Sequence, residues 1–508
     1  MFKKQNPNSK ESSRGGSMPQ ISADTLRQQF SASPDIGFSE IIVGGNNRLR
    51  LTLAFVDGLT SSQQIDDYIL KPLVQERALT GAASQRELLD SIMHGALYHF
   101  QRKPCRDFAE SVSALLSGSV LLIFDDLQQA VAFDVKGFEK RGVSETTSEN
   151  VLKGSKESFI EVLRVNTALV RRRIQSPDLE IRQLKIGRRS GTVVSVAYLA
   201  GVANSGTVDA VMKRLEAIDI DGISSAGQIE AFLQGRKNSI FPQTIYTERV
   251  DKFCGNLLEG RIGIIIDGMP TAYITPVDFT AFLQAPEDYA LSTIASTMLR
   301  ILRFACAFAA LILPALYVAI TTFHQEMIPT KLAIAIISNK QGVPFPSYLE
   351  VLLMLLAFEV LLEAGLRLPQ AIGSAVSIVG ALVVGQAAIT AGILSPGVVI
   401  VIAAAGVSGF VIPSQDFSNT IRICRIALVL LAIIGGLFTV TLGLILILYR
   451  MSSLEIFGVP YLSTFAAMDG KRMFTDTIIR APWHKAKKRP VNLGVENETR
   501  QGGDEIGD

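Results

Sequence analysis

Cysteine and histidine are scarce: the 508 residues hold four of each. Cys105, Cys254, Cys306 and Cys424 stand far apart, with no C-x-x-C pair. That spacing argues against a disulfide scaffold or zinc knuckle and predicts unpaired thiols. His94 and His99 are five positions apart, off a common helical face, and are expected as structural or exposed side chains. Motifs for phosphate cradles, zinc hydrolysis and nucleophile elbows are missing, as is a strand-linked G-x-G-x-x-G. No enzyme, metal or cofactor is expected. The formal net charge is only +2, which offers no nucleic-acid surface.

An apolar leader is missing as well. Residues 1–33 are polar and read as a disordered tail. The first membrane helix is then expected to act as its own insertion signal. A folded N-terminal region of roughly 290 residues is expected to stay in the cytoplasm.

Apolar residues are abundant, at 48% with a mean hydropathy of +0.31, and they concentrate after about residue 300. This pattern predicts an N-terminal α+β region of two subdomains, followed by an all-α polytopic membrane bundle of five or six helical segments. The boundaries read as tail 1–33, subdomain one 34–145, subdomain two 156–291, membrane domain 300–467 and a basic cytoplasmic tail 468–508. In subdomain one, 49–56 is an apolar strand, 62–78 is a helix kinked or divided by Pro72, and 119–124 with 130–133 form a hairpin. Residues 140–155 are a polar linker. In subdomain two, 159–174 is an amphipathic helix with Ile160, Leu163, Ala168 and Leu169 inward. Strands at 184–186 and 192–199 flank a Gly187–Gly191 turn, a helix covers 208–218, and Asp267–Gly268 turns a hairpin.

The membrane segments are expected at 304–323, 349–366, 371–389, 397–412 and 426–449. The first has no charge over 20 residues, enough for ~30 Å of hydrocarbon. Pro314 predicts a kink in it. The stretch 331–337 is too short to span. Residues 452–467 are read as a possible sixth, partial crossing. With the N-terminal region inside, Arg367, Arg422 and Arg425 all fall inside, which makes the threading consistent.

Two constellations carry candidate chemistry. Glu359, Glu363 and Arg367 follow at intervals of four, on one face of the second span, with Glu350 a little before them. Carboxylates at membrane depth face a bundle interior or water. They are read as a cation path or gate, against the plainer reading that Glu363 pairs with Arg367 and only Glu359 lies deep. The third span carries Gly373, Ser377, Ala381 and Gly385, a small-residue face for helix packing or for lining a narrow path constricted at Val383 or Val384. Gly435, Thr439 and Gly443 repeat the spacing in the fifth span, most simply for packing. Arg171–Arg173 with Arg188–Arg189 read as a solvated basic face, or a contact for anionic lipid or an acidic subunit.

Several stretches together resemble one family. They are 157–174 (ESFIEVLRVNTALVRRRI), 187–191 (GRRSG) with 196–202 (VAYLAGV), 241–260 (FPQTIYTERVDKFCGNLLEG) and 268–279 (GMPTAYITPVDF). To these add 363–369 (EAGLRLP), 380–388 (GALVVGQAA), 457–460 (FGVP) and 477–490 (TIIRAPWHKAKKRP). In this order they are similar to the A subunit of the GerA spore germinant receptors. The resemblance spans about 40–490 and leaves the N-terminal tail outside. It implies residence in the inner membrane of bacterial spores. It also implies a permease-like B subunit that binds nutrient, a lipoprotein C subunit, and release of monovalent cations on nutrient binding. Oligomerisation through the A subunit to form the ion path belongs to the same implication. A pore role for Glu359, Glu363 or the third-span face rests on charge and packing alone. The alternatives are a non-conducting scaffold and a secondary transporter, the latter disfavoured because no inverted repeat is visible.

Overall fold

The computed structural model describes residues 20–43, 49–97, 101–137, 149, 154–234, 239–367, 385–466, 477–482 and 486–501. The N-terminal half forms two lobes, each built on a five-stranded antiparallel sheet. The first lobe holds β1 (Ile36–Val43), β2 (Leu49–Val56), β3 (Arg102–Cys105), β4 (Val120–Phe124) and β5 (Gln129–Phe133), ordered β1-β2-β4-β5-β3. The second holds β6 (Leu179–Ile186), β7 (Thr192–Leu199), β8 (Ile245–Thr247), β9 (Ile262–Ile266) and β10 (Ala272–Thr275), ordered β6-β7-β9-β10-β8. The two orders are the same permutation.

The helices follow the same plan. In the first lobe α1 (Ala23–Gln29) precedes the first strand, α2 (Gln85–Met93) lies between the second and third, and α3 (Phe108–Leu116) between the third and fourth. In the second lobe α4 (Leu163–Arg173), α5 (Ser205–Glu216) with α6 (Ala226–Leu233), and α7 (Val250–Leu258) take the matching places. The lobes are one topology used twice. In each, the central strand is apolar and buried at every residue: VLLIF in β4 and IGIII in β9. Helices cover both sheet faces, so no alternation of polar and apolar side chains is needed there.

Polar side chains begin several helices. Asp107 caps α3 by accepting from the Glu110 amide at 2.7 Å, and Ser84 and Asn204 cap α2 and α5 in the same way. Pro72 does not divide the helix at 62–78. Helical turns run from Ser62 to Gln75 through a π turn at Asp66–Leu70, and the break comes at Glu76. A widened turn leaves an amide unneeded, which accommodates proline. The N-terminal part of the 159–174 helix is also shorter than its pattern. α4 starts at Leu163, because buried Asn166 bonds both the Ile160 amide and carbonyl and holds them in a turn.

The C-terminal half is helical: α8 (Thr293–Phe323), α9 (Thr330–Lys340), α10 (Ser347–Arg367), α11 (Gly385–Thr390), α12 (Pro396–Phe410) and α13 (Gln415–Ser452). Among the described residues, α8 and α13 are long and apolar enough to cross a membrane. α10 has 21 residues but carries Glu350, Glu359, Glu363 and Arg367. α12 has 15 residues, about 22 Å at ~1.5 Å each, short of ~30 Å. Of the expected third span, 371–384 lies outside the described residues, and only its end appears, as α11.

α13 departs most from expectation. Its 38 residues do not make one straight rod, because Gly435 (φ −150°, ψ 25°) and Gly436 (φ +60°, ψ −139°) leave helical geometry. The chain folds back there. A Cβ placed on Gly443 would lie 2.7 Å from both Leu428 Cδ2 and Leu431 Cδ1, contacts that a straight helix forbids at such separations in sequence. Thr439 Oγ1 donates to the Leu431 and Gly436 carbonyls, replacing bonds lost at the turn. The expected fifth span is therefore a helical hairpin, with arms meeting at the glycine pair. Only glycine adopts the Gly436 geometry without strain.

Of the expected sixth crossing at 452–467, the described residues 452–466 form no helix across the bundle. A short hairpin of β11 (Glu455–Ile456) and β12 (Val459–Pro460) sits there, and the buried Tyr461 ring packs 6.2 Å from Phe241 of the second lobe. The Gly458 turn and its aromatic neighbour favour docking on the lobe over insertion.

Candidate gate site

Glu359 lies two-thirds of the way along α10, where apolar neighbours carry it into the bundle. Its carboxylate receives two guanidinium groups from the first arm of α13. Arg425 Nη2 donates to Oε1 at 3.0 Å, and Arg422 Nη2 donates to Oε2. Arg425 is only 2% exposed, whereas Arg422 is 27% exposed and also donates to Asn419 Oδ1 at 3.0 Å. One carboxylate thus ties α10 to α13 against two cations. The residue spacing of α10 placed Glu359 with Glu363; the structure does not join them. Glu363 pairs with Arg367 at 2.7 Å on an exposed surface, the plainer of the two expectations for that pair.

Gly385 is buried at the start of α11, with Val399 of α12 at van der Waals distance from where a Cβ would stand. Gly373, Ser377, Ala381, Val383 and Val384 lie outside the described residues.

Glu350 is a second buried carboxylate, at the other end of α10. Its Oε2 accepts from the Ser395 amide at 2.7 Å, at the N-terminus of α12, where the helix dipole favours a negative charge. Lys340 Nζ, from the end of α9, stands 3.7 Å from Oε1. α9 itself buries no side chain.

A dense joint connects this bundle to the second lobe. Phe417 in the first turn of α13 stacks on Phe282 at 5.8 Å and meets Phe279 edge-on at 5.3 Å. Thr420 Oγ1 donates to the Ile240 carbonyl at 2.6 Å. Fully buried Asp288 holds α8 through Arg303 at 2.7 Å and Arg300 at 3.0 Å. Arg480 adds its amide to Thr297 Oγ1 at 3.2 Å. Further on, the C-terminal stretch runs along the second lobe: Asn204 Nδ2 donates to the Gly494 carbonyl at 2.8 Å and the Ser205 amide to Glu496 Oε1 at 3.1 Å.

The lobes are joined to each other by Arg171, which sequence reading assigned to a solvated basic face. It is fully buried. Its Nε donates to Asp35 Oδ2 at 2.7 Å, Nη2 to Ser33 Oγ at 2.9 Å and Nη1 to the Leu179 carbonyl at 2.7 Å. The other members of that basic group are dispersed: Arg172 pairs with Glu157 and Arg188 with Asp219. All four cysteines are unpaired. Burial pushes the Cys254 thiol up to about 12. Burial also raises the Glu230 carboxyl, with the Thr244 hydroxyl opposing and the charge of Asp416 adding to the rise.

A two-lobed α+β head is fused to a helical region that holds, among the described residues, two helices long and apolar enough to cross a membrane. Comparison with known proteins identifies the family. The model of the Bacillus/Clostridium GerA spore germination protein family matches residues 24–492. The chain belongs to that family, among its A-subunit members. Spore germination protein KA of Bacillus subtilis is 36% identical over 94% of this chain and 87% of its own length. Spore germination protein B1 of the same organism is 34% identical, covering 95% and 98%. GerLA of Bacillus cereus is 33% identical, covering 93% and 95%. The crystal structure of the N-terminal domain of the A subunit of the Bacillus megaterium germinant receptor GerK3 is 29% identical, with a TM-score of 0.41. It aligns with 52% of this chain and 99% of that one.

Proposed function

We propose that this chain is the A subunit of a nutrient germinant receptor in the spore inner membrane and serves as its cation gate. The head lies in the cytoplasm. α8, α10 and the two arms of α13 cross the membrane, and the shorter α12 runs beside them from Glu350 of α10 to Ser418 at the foot of α13. The second arm of α13 returns the chain to the side of the head, where Met451, Leu454 and Tyr461 join the core of the second lobe. The partners are a permease-like B subunit that binds nutrient and a lipoprotein C subunit, with further copies of this chain around the ion path.

The observation that carries this reading is the tie between Glu359 and Arg422 with Arg425. It joins two helices at the head end of the bundle, one of them a glycine-turned hairpin whose foot is packed into the head through Phe417. Two cations facing Glu359 favour a latch over a cation-coordinating group. The small-residue face Gly373, Ser377, Ala381 and Gly385, with Val383 and Val384, is the proposed lining and constriction. Glu363 and Arg367, exposed at the C-terminal end of α10, are the proposed charged entry. A shift of the head moves the α13 foot, breaks the latch and opens the path.

The test is potassium release from spores lacking this gene and complemented with wild type or Glu359→Gln, at equal receptor level. Loss of release, or release without nutrient, supports the gate. Unchanged rate and nutrient dependence support a scaffold instead.

A further inference from the structure

We propose that Arg422, with buried Arg425 behind it, forms a binding site for the phosphate of an anionic phospholipid, in the leaflet facing the soluble head. The proposal rests on the reading of α10 and α13 as membrane-spanning, and not on ion conduction. Two guanidinium groups meet a single carboxylate, Glu359, so the cluster carries one net positive charge. The Nε–H groups of both arginines are buried without an acceptor. An uncompensated buried cation is costly and draws an anion toward it. Arg425 is closed off, but Arg422 keeps an open edge beside exposed Asn419.

The surface leading away from Arg422 is apolar. Ile426, Leu430 and Ile434 continue at intervals of four along the first arm of α13, and all three are exposed. Leu356 and Val360 beside Glu359 on α10 are exposed too. From Arg422 to Ile434 the helix rises about 18 Å at ~1.5 Å per residue, close to one leaflet's share of ~30 Å of hydrocarbon. A cation at the foot of an apolar ridge one leaflet long matches a headgroup phosphate with its acyl chain above. Basic pockets between membrane helices bind anionic headgroups in this manner. A soluble anion would match the cation alone and leave the ridge unused.

The experiment uses the full chain in nanodiscs of phosphatidylcholine with a minor fraction of phosphatidylglycerol, read by native mass spectrometry after mild delipidation. Wild type is expected to retain phosphatidylglycerol, with retention falling about tenfold in Arg422→Gln and persisting in Arg422→Lys. Glu359→Gln, which removes the competing carboxylate, is expected to raise retention, and Leu430→Ser on the exposed ridge, expected to lower it, decides the matter should Arg422→Gln fail to fold. Inorganic phosphate at millimolar concentration should not displace the lipid. Equal retention in all variants, displacement by phosphate, or a disulfide between two copies through Leu430→Cys overturns the proposal. Potassium release reports on the gate separately, so lipid retention fails or holds independently of it.

Discussion

Arg425 Nη2 reaches Glu359 Oε1 at 3.0 Å across 66 positions of sequence, from the first arm of a helical hairpin to the middle of α10. The bond explains why a carboxylate is tolerated there. It also sets the order of variant effects. Glu359→Gln leaves two guanidinium groups without a counter-charge, and Arg422→Gln leaves one pair intact. The first substitution is expected to lower the unfolding temperature more than the second in detergent solution, because uncompensated buried charge costs more than a lost exposed partner. Equal temperatures for both would remove the ion-pair reading.

The reversal in α13 depends on one backbone conformation. Gly436→Ala places a methyl group 2.8 Å from Phe323 Cβ and His324 Cε1 at φ +60°. Strain of about 1–3 kcal/mol from the backbone alone is expected. Thermal unfolding should show it, and disulfide formation between Leu428→Cys and Gly443→Cys should report the folded-back arms. Failure of that crosslink in the folded protein speaks for a straight helix.

The second Gly of this pair was in plain view in the sequence, yet hydropathy hid its role. An apolar run scores the same whether it is straight or folded. The strands β2, β7, β9 and the β4–β5 hairpin were legible because their apolar runs end at turn residues. β1 and β3 were not, since edge strands alternate weakly: β3 is RKPC, mostly exposed. The repeated topology of the lobes was invisible because it lies in strand order, which no residue pattern encodes. Glu359's partners were missed for a related reason. Helical spacing finds neighbours at four residues, and Arg422 and Arg425 are 63 and 66 away.

Arg171 donates to Asp35 and Ser33 of the first lobe and to the Leu179 carbonyl of its own. Arg171→Ala leaves Asp35 buried without its cation, a loss of about 3–5 kcal/mol. Hydrogen exchange in the full-length protein should rise in both β1 and β6. Exchange confined to α4 would mean that the pair is local rather than a joint.

Two buried groups give pH dependence of known sign. The Cys254 thiol is pushed up to about 12, so its stabilising share is complete below the ordinary thiol value and is lost as pH climbs through the folded value. At pH 8 maleimide should label it about a thousandfold more slowly than a free thiol of pKa ~8.5, and at the free rate once denatured. Glu230 is likewise raised, so its ionised form weakens the fold at neutral pH. Glu230→Gln should raise the unfolding temperature at pH 7 and lose that advantage as pH falls below the free carboxyl value of ~4.3, where both folded and unfolded carboxyls become protonated. An advantage independent of pH would point to packing instead of charge.

The central claim is that the Glu359 latch couples nutrient to cation release. The direct measurement is potassium efflux from spores carrying Glu359→Lys, Arg422→Glu, or both together, at equal receptor level. The account predicts that each single variant leaks or falls silent, and that the charge swap restores nutrient-dependent efflux at least in part. Normal efflux in both single variants, or two defects that add without rescue, would contradict it.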